Sequence, residues 1–146
     1  MLQTKKWGQV MDITELLGSG VTQEELAQMS PLTLAFVGDG VHTLYVRNYV
    51  IKGRIGKIGD YHNLCAKYCK AQAQASALDK VMQDLTEQEE DVVRRARNVK
   101  THNIAKNSDF QTYKKATSFE ALIGYLYLTE NFERLLQILK ISIQGE

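Results

Sequence analysis

The chain reads as an all-α fold, one helical domain over residues 1–146, and three observations point there. No segment sustains the apolar–polar alternation, bounded by turn residues, that marks a half-buried strand. Apolar residues recur instead three and four positions apart, the period that lines one face of a helix. Helix-start signals also punctuate the chain: Ser30-Pro31 pairs an N-cap with proline at the first helical position, and Thr86-Glu87-Gln88-Glu89 spells a capping box. A chain of 146 residues, 44% apolar and 24% charged, can bury a core of its own, and it carries no internal repeat.

The elements follow in order. From Pro31 the residues Leu34, Val37, Val41, Leu44, Tyr45 and Val46 keep helical spacing to about Lys52. Gly38 and Gly40 flank Asp39 inside this helix, each at a cost of about 1 kcal/mol relative to alanine, so a close approach of another helix or a ligand is expected there. KGRIGKIGD (52–60) is a glycine-rich basic loop without the strand and GK[ST] ending of a phosphate-binding loop. Helical character resumes from about Tyr61 to Asp84, and the capping box then opens a helix to about Val99. That helix has acids at its start and Arg94, Arg95 and Arg97 near its end, as its dipole favours. THNIAKNSD is a polar loop, a helix follows from about Asp109, and a last amphipathic helix from Asn131 carries Phe132, Leu135, Leu136 and Leu139.

Composition narrows the function. No apolar stretch is long enough to span a bilayer and MLQTKKWGQV lacks a signal-peptide core, so the expected location is cytoplasmic, with no membrane partner. Cys65 and Cys69, four apart, are expected to face the core rather than form a disulfide. With His62 they share a stripe of zinc-ligand types that lacks a fourth ligand nearby. The net charge is only +1, but residues 94–115 hold Arg94, Arg95, Arg97, Lys100, Lys106, Lys114 and Lys115 against the single acid Asp109. Such localised charge is either a solvated face or a footprint for a polyanion.

Two apolar helix-like runs each contain one lone carboxylate: LAFVGDGV (34–41) with Asp39, and ATSFEALIGYLYL (116–128) with Glu120. A charge in an apolar run is costly unless paired or bound to a cation. Brought together, the two would offer the hard oxygen donors that magnesium takes. Thr117-Ser118-Phe119-Glu120 also fits S/T-x-x-E, so Glu120 has an alternative role in a capping box.

The two strings in this order resemble the paired signatures of the ribonuclease III family, LEFLGDAV and DxxEALIGAxxL. With KYCKAQAQA, RRARN and KNSDFQTYKKAT, they are most similar to its Mini-III branch, which has the catalytic domain without a double-stranded-RNA-binding domain. The likeness covers about residues 28–140. It implies a dimeric helical catalytic domain in which Asp39 and Glu120 are catalytic and hold Mg²⁺, with Mn²⁺ a possible substitute. It further implies cleavage of double-stranded RNA to 5′-phosphate and 3′-hydroxyl ends, in maturation of large-subunit (23S) ribosomal RNA precursors. Phe36 takes the place of the aromatic residue at the homodimer interface, its alternative being an ordinary core phenylalanine. Phosphate contacts fall to Arg94, Arg95, Arg97, Lys100, Lys106 and Asn107; His42 and His102 are read as structural or surface residues. Two acids usual in longer family members are Ala35 and Thr117 here, which the Mini-III branch shares. A competing reading is a catalytically silent helical protein that binds structured RNA in ribosome assembly. The basic segment serves both, and only Asp39 and Glu120 separate them.

Overall fold

In the computed structural model, which describes residues 13–17, 20–100 and 109–144, the chain runs through α1 (Ile13–Leu17), α2 (Gln23–Gln28), α3 (Pro31–Ile51), α4 (Ile58–Cys69) and α5 (Ala71–Val81). A single 3₁₀ turn (Met82–Asp84), α6 (Glu87–Arg97), α7 (Phe110–Leu128) and α8 (Phe132–Ile143) follow. No strand occurs among the described residues. The start signals act as expected. Ser30 Oγ accepts from Thr33 N at 3.2 Å ahead of Pro31, and Thr86 Oγ1 accepts from Glu89 N while Glu89 accepts from Thr86 N. A further capping box, at Thr22 and Glu25, opens α2.

The expected helix over 61–84 is instead two helices. Lys70 is extended (ψ 153°) between α4 and α5. No glycine or proline marks the break. Its reason is tertiary: α4 packs on α3, where Tyr49 and Tyr68 meet edge to face at 5.7 Å, whereas α5 packs on α7. One straight helix could not follow both directions.

Helix α7 is the centre of the domain. From Ala116 to Gly124 all but Glu120 are buried, and α3, α5, α6 and α8 pack around it, as an apolar helix requires. Phe119, Leu122, Ile123 and Leu126 of α7 form the main core with Leu78 and Val81 of α5, Val93 of α6, and Leu135, Ile138 and Leu139 of α8. Leu136 faces outward. A smaller core joins Leu34 and Ala35 to Val92, Ala96 and Ala121.

The α3–α7 crossing is backbone against backbone. A methyl at Gly38 would collide with the Glu120 carbonyl and lie 2.8 Å from Gly124 N. One at Gly124 would collide with the Leu34 carbonyl and lie 3.0 Å from Gly38 N. Gly40, by contrast, faces open space. The close approach expected at Gly38 is thus that of another helix.

A half-buried ion pair ties α6 to α8: Arg134 donates to Glu89 at 2.9 Å and to the Asp84 carbonyl at 2.7 Å. Burial works against the Glu89 charge, but Arg134 and Thr86 outweigh it and hold the carboxyl below its ordinary value. Losing one partner of such a pair typically costs about 3–5 kcal/mol.

Candidate active site

The glycine crossing brings Asp39 of α3 and Glu120 of α7, 81 positions apart in sequence, within hydrogen-bonding reach of each other. Gly38 precedes Asp39 and abuts the backbone of Glu120 itself, so the two side chains leave the crossing side by side. Their surroundings differ. Asp39 is exposed, contrary to the burial expected from its apolar run, because the buried stripe of α3 is Leu34, Ala35, Gly38, His42, Val46 and Val50. Glu120 is half-buried. Its position in the middle of α7 also removes the capping-box alternative, since that helix begins ten residues earlier, at Phe110.

Glu120 has the electrostatics of a crowded carboxyl. Burial, then the hydrogen bond and charge of Asp39, push its pKa up to about 8, while a hydrogen bond donated by Gln74 works in the opposite direction. Without a cation it therefore keeps a proton at neutral pH. Asp39 also acts on Cys69 of α4, whose thiol is pushed up chiefly by burial and by Cys65, against a hydrogen bond with Thr43. The carboxylate pair thus lies where α3, α4, α5 and α7 come together. Both cysteines are free and half-buried, and His62 is exposed.

Behind the carboxylates lie three residues that no motif in the sequence marks. Gln74 Nε2 lies 3.3 Å from His42 Nδ1, and His42 Nε2 lies 3.2 Å from Ser142 Oγ, all three residues buried. Desolvation lowers the His42 pKa to about 4, against the charge of Asp39, so the ring is neutral at physiological pH. His42 is structural, not a surface residue. The signal was available: each residue occupies a core position on its helix, in the spacings Gly38-His42-Val46, Gln74-Leu78-Val81 and Ile138-Leu139-Ser142.

The basic segment is placed in part. Arg94 and Arg95 are exposed and Arg97 half-buried on the last turns of α6, with Lys100 just beyond; Arg94 is ion-paired with Asp91. Lys115 pairs with Asp79 and Lys114 lies over Phe110. Val92 and Ala96 share a core with Ala35 and Ala121, so α6 borders the wall beside the carboxylates. His102, Lys106 and Asn107 lie outside the described residues. The two positions where longer family members have acids, Ala35 and Thr117, are buried. Phe36 is 81% exposed, which removes the core-phenylalanine alternative.

The chain and its helical fold have counterparts among known proteins. The Ribonuclease III domain matches residues 32–131. The Mini-ribonuclease 3 of a Thermoanaerobacter species is 43% identical over 134 residues, 92% of each chain. That of Staphylococcus aureus is 42% identical over 122 residues, 81% of this chain and 91% of its own. A crystal structure of a Fusobacterium nucleatum protein superposes with a TM-score of 0.72 at 30% identity, covering 82% of this chain and 95% of that one. The chain belongs to the ribonuclease III family, in its Mini-ribonuclease 3 branch, and is an endoribonuclease.

Proposed function

We propose that Asp39 and Glu120 form the catalytic centre of a magnesium-dependent endonuclease that cuts double-stranded RNA, leaving 5′-phosphate and 3′-hydroxyl ends. The observation that carries this reading is the juxtaposition itself. Two carboxylates held against each other, one of them half-buried and pushed up to about 8, are mutually repulsive unless a proton or a cation lies between them. Among the described residues no three His, Cys, Asp or Glu side chains converge on one point. Such a sparse set of hard oxygen donors suits Mg²⁺, which keeps much of its water shell, with Mn²⁺ able to substitute.

When bound, the cation supplies charge neutralisation at the scissile phosphate and acidification of the attacking water. The protein's own part is placement. Exposed Asp39 meets the incoming phosphate side, and Glu120 gives up its proton to complete the pair. Ala35 and Thr117, one turn before Asp39 and Glu120 on their helices, are buried and add no charge. Arg94, Arg95, Arg97, Lys100, Lys106 and Asn107 hold the RNA backbone, which gives affinity but little base selection. The Arg94–Asp91 pair is exposed and so is easily exchanged for a phosphate.

One cleft cuts one strand, and a duplex has two. Helix α3 carries a second apolar face: Leu32, Phe36, Leu44 and Ile51 are 40%, 81%, 50% and 52% exposed. Ile55 and Ile58, just beyond the helix, are exposed as well. A patch of this kind calls for a partner, and we assign it to a twofold homodimer that presents two clefts to the duplex. Phe36→Glu would place an unpaired charge in that interface. The expected result is a shift from dimer to monomer in sedimentation velocity; a variant that stays dimeric removes α3 from the interface.

No described helix is long and apolar enough to cross a membrane. We place the activity in the cytoplasm, on large-subunit ribosomal RNA precursors. The direct test is cleavage of end-labelled duplex RNA with Mg²⁺ and with EDTA. Cutting is expected only with the cation, with phosphate on the 5′ ends of the products. Binding without cutting under any divalent cation would overturn the assignment.

A further inference from the structure

Gln74, His42 and Ser142 are 4%, 0% and 9% exposed, on α5, α3 and α8, and together they form a directional chain of hydrogen bonds that ends at Gln74, beside Glu120. Ser142 Oγ donates its one proton to the Leu139 carbonyl at 2.6 Å, so toward His42 Nε2 it accepts. The neutral ring then carries its proton on Nε2, and Nδ1 is left as an acceptor. Only the nitrogen of the Gln74 amide can face that lone pair, at 3.3 Å. The same amide stands beside Glu120, where its hydrogen bond favours the charged carboxyl, so the donor side of the amide is the one turned there as well. A flipped amide would set its oxygen against the Nδ1 lone pair. Buried polar groups are costly unless partnered; here each of the three has a partner, and a satisfied network of this kind fixes the orientation of its members.

We infer that Gln74 is a positioning residue: its amide, oriented by His42 and Ser142, holds the Glu120 carboxylate turned toward Asp39 in the geometry that receives a divalent cation. The inference rests on Asp39 and Glu120 being a cation site. Its logic is that of any group hydrogen-bonded to a metal ligand. By preventing rotation of the ligand it spares the cation the cost of ordering it, and loss of such a group typically weakens metal binding about 10–100-fold.

The test uses the full chain with Gln74→Met, which fills the space without an amide. Mn²⁺ affinity measured by calorimetry is expected to fall about 10–100-fold. Half-maximal cleavage should move to correspondingly higher Mn²⁺ concentration, with most of the maximal rate regained at saturation. A merely structural role would lower the active fraction without moving the metal concentration required. A folded Gln74→Met protein that binds Mn²⁺ like the wild type overturns the inference while leaving the cation site standing. If wild-type protein binds no Mn²⁺, the cation site falls and the inference falls with it. Should Gln74→Met fail to fold, the side-chain amide signals of ¹⁵N-labelled wild type decide. Saturable movement of the Gln74 NH₂ pair on adding Mg²⁺, absent in Glu120→Gln, is expected; no movement overturns the positioning role.

Discussion

Gly38→Ala is expected to unfold the protein or to leave it molten at 37 °C, whereas Gly40→Ala, two residues along the same helix, is expected to stabilise it. At Gly38 the added methyl would run into the Glu120 carbonyl and crowd Gly124 N, both backbone atoms of the central helix. A flexible side chain could swing away; a helix backbone cannot without repacking the core on its other faces. A cost above about 4 kcal/mol follows, a large share of the total stability of a domain this size. The same argument holds at Gly124 against the Leu34 carbonyl. At Gly40 the methyl enters open space, so the ordinary helix preference for alanine applies and a gain of about 0.5–1 kcal/mol is expected. Thermal melts of the three variants check this. A Gly38→Ala protein that melts with the wild type would show that α3 and α7 do not touch through their backbones.

Asp39→Asn and Glu120→Gln are each expected to reduce RNA cleavage by about 10³-fold or more, on the order of 4 kcal/mol in the barrier, while RNA binding and fold persist. The Glu120 variant carries a second signature in metal-free protein. Its carboxyl has an ordinary value of 4.5 and is pushed up to about 8 in the folded state, so between these values the folded chain holds a proton that the unfolded chain has released. Stability is therefore fully present below about pH 4.5 and is lost as pH rises through about 8. Glu120→Gln removes that slope. At pH 8 in EDTA its melting temperature should exceed that of the wild type by a few degrees, about what 1–2 kcal/mol moves a chain of this size. A variant that loses cleavage by unfolding, or one that melts below the wild type at pH 8, would return Glu120 to a purely structural role.

Much of the helical architecture was legible because it is written locally. Ser30-Pro31 and Thr86–Glu89 place two helix starts through side-chain bonds to nearby backbone, and α3, α6, α7 and α8 begin within a residue or two of where the sequence puts them. The break at Lys70 was not legible. Its residues are all compatible with a continuous helix, and the extended backbone there answers to two different packing partners. The exposure of Asp39 was not legible either, for a related reason. An apolar run on α3 has two apolar faces, one against α7 and one toward solvent, and hydropathy does not say which of them a lone carboxylate borders.

The sequence by itself determined the all-α class, the two odd carboxylates, the basic segment and the signatures that mark the family, since these depend on residue type and near-neighbour spacing. Tertiary structure alone decided that Asp39 and Glu120 meet, because the meeting depends on two glycines from distant helices fitting against each other's partner backbone. It alone assembled Gln74, His42 and Ser142 behind them, three polar residues that look like stray exceptions on separate apolar stripes. Buried polar groups must find partners, and across 81 or 100 positions of chain only the packed fold can supply them.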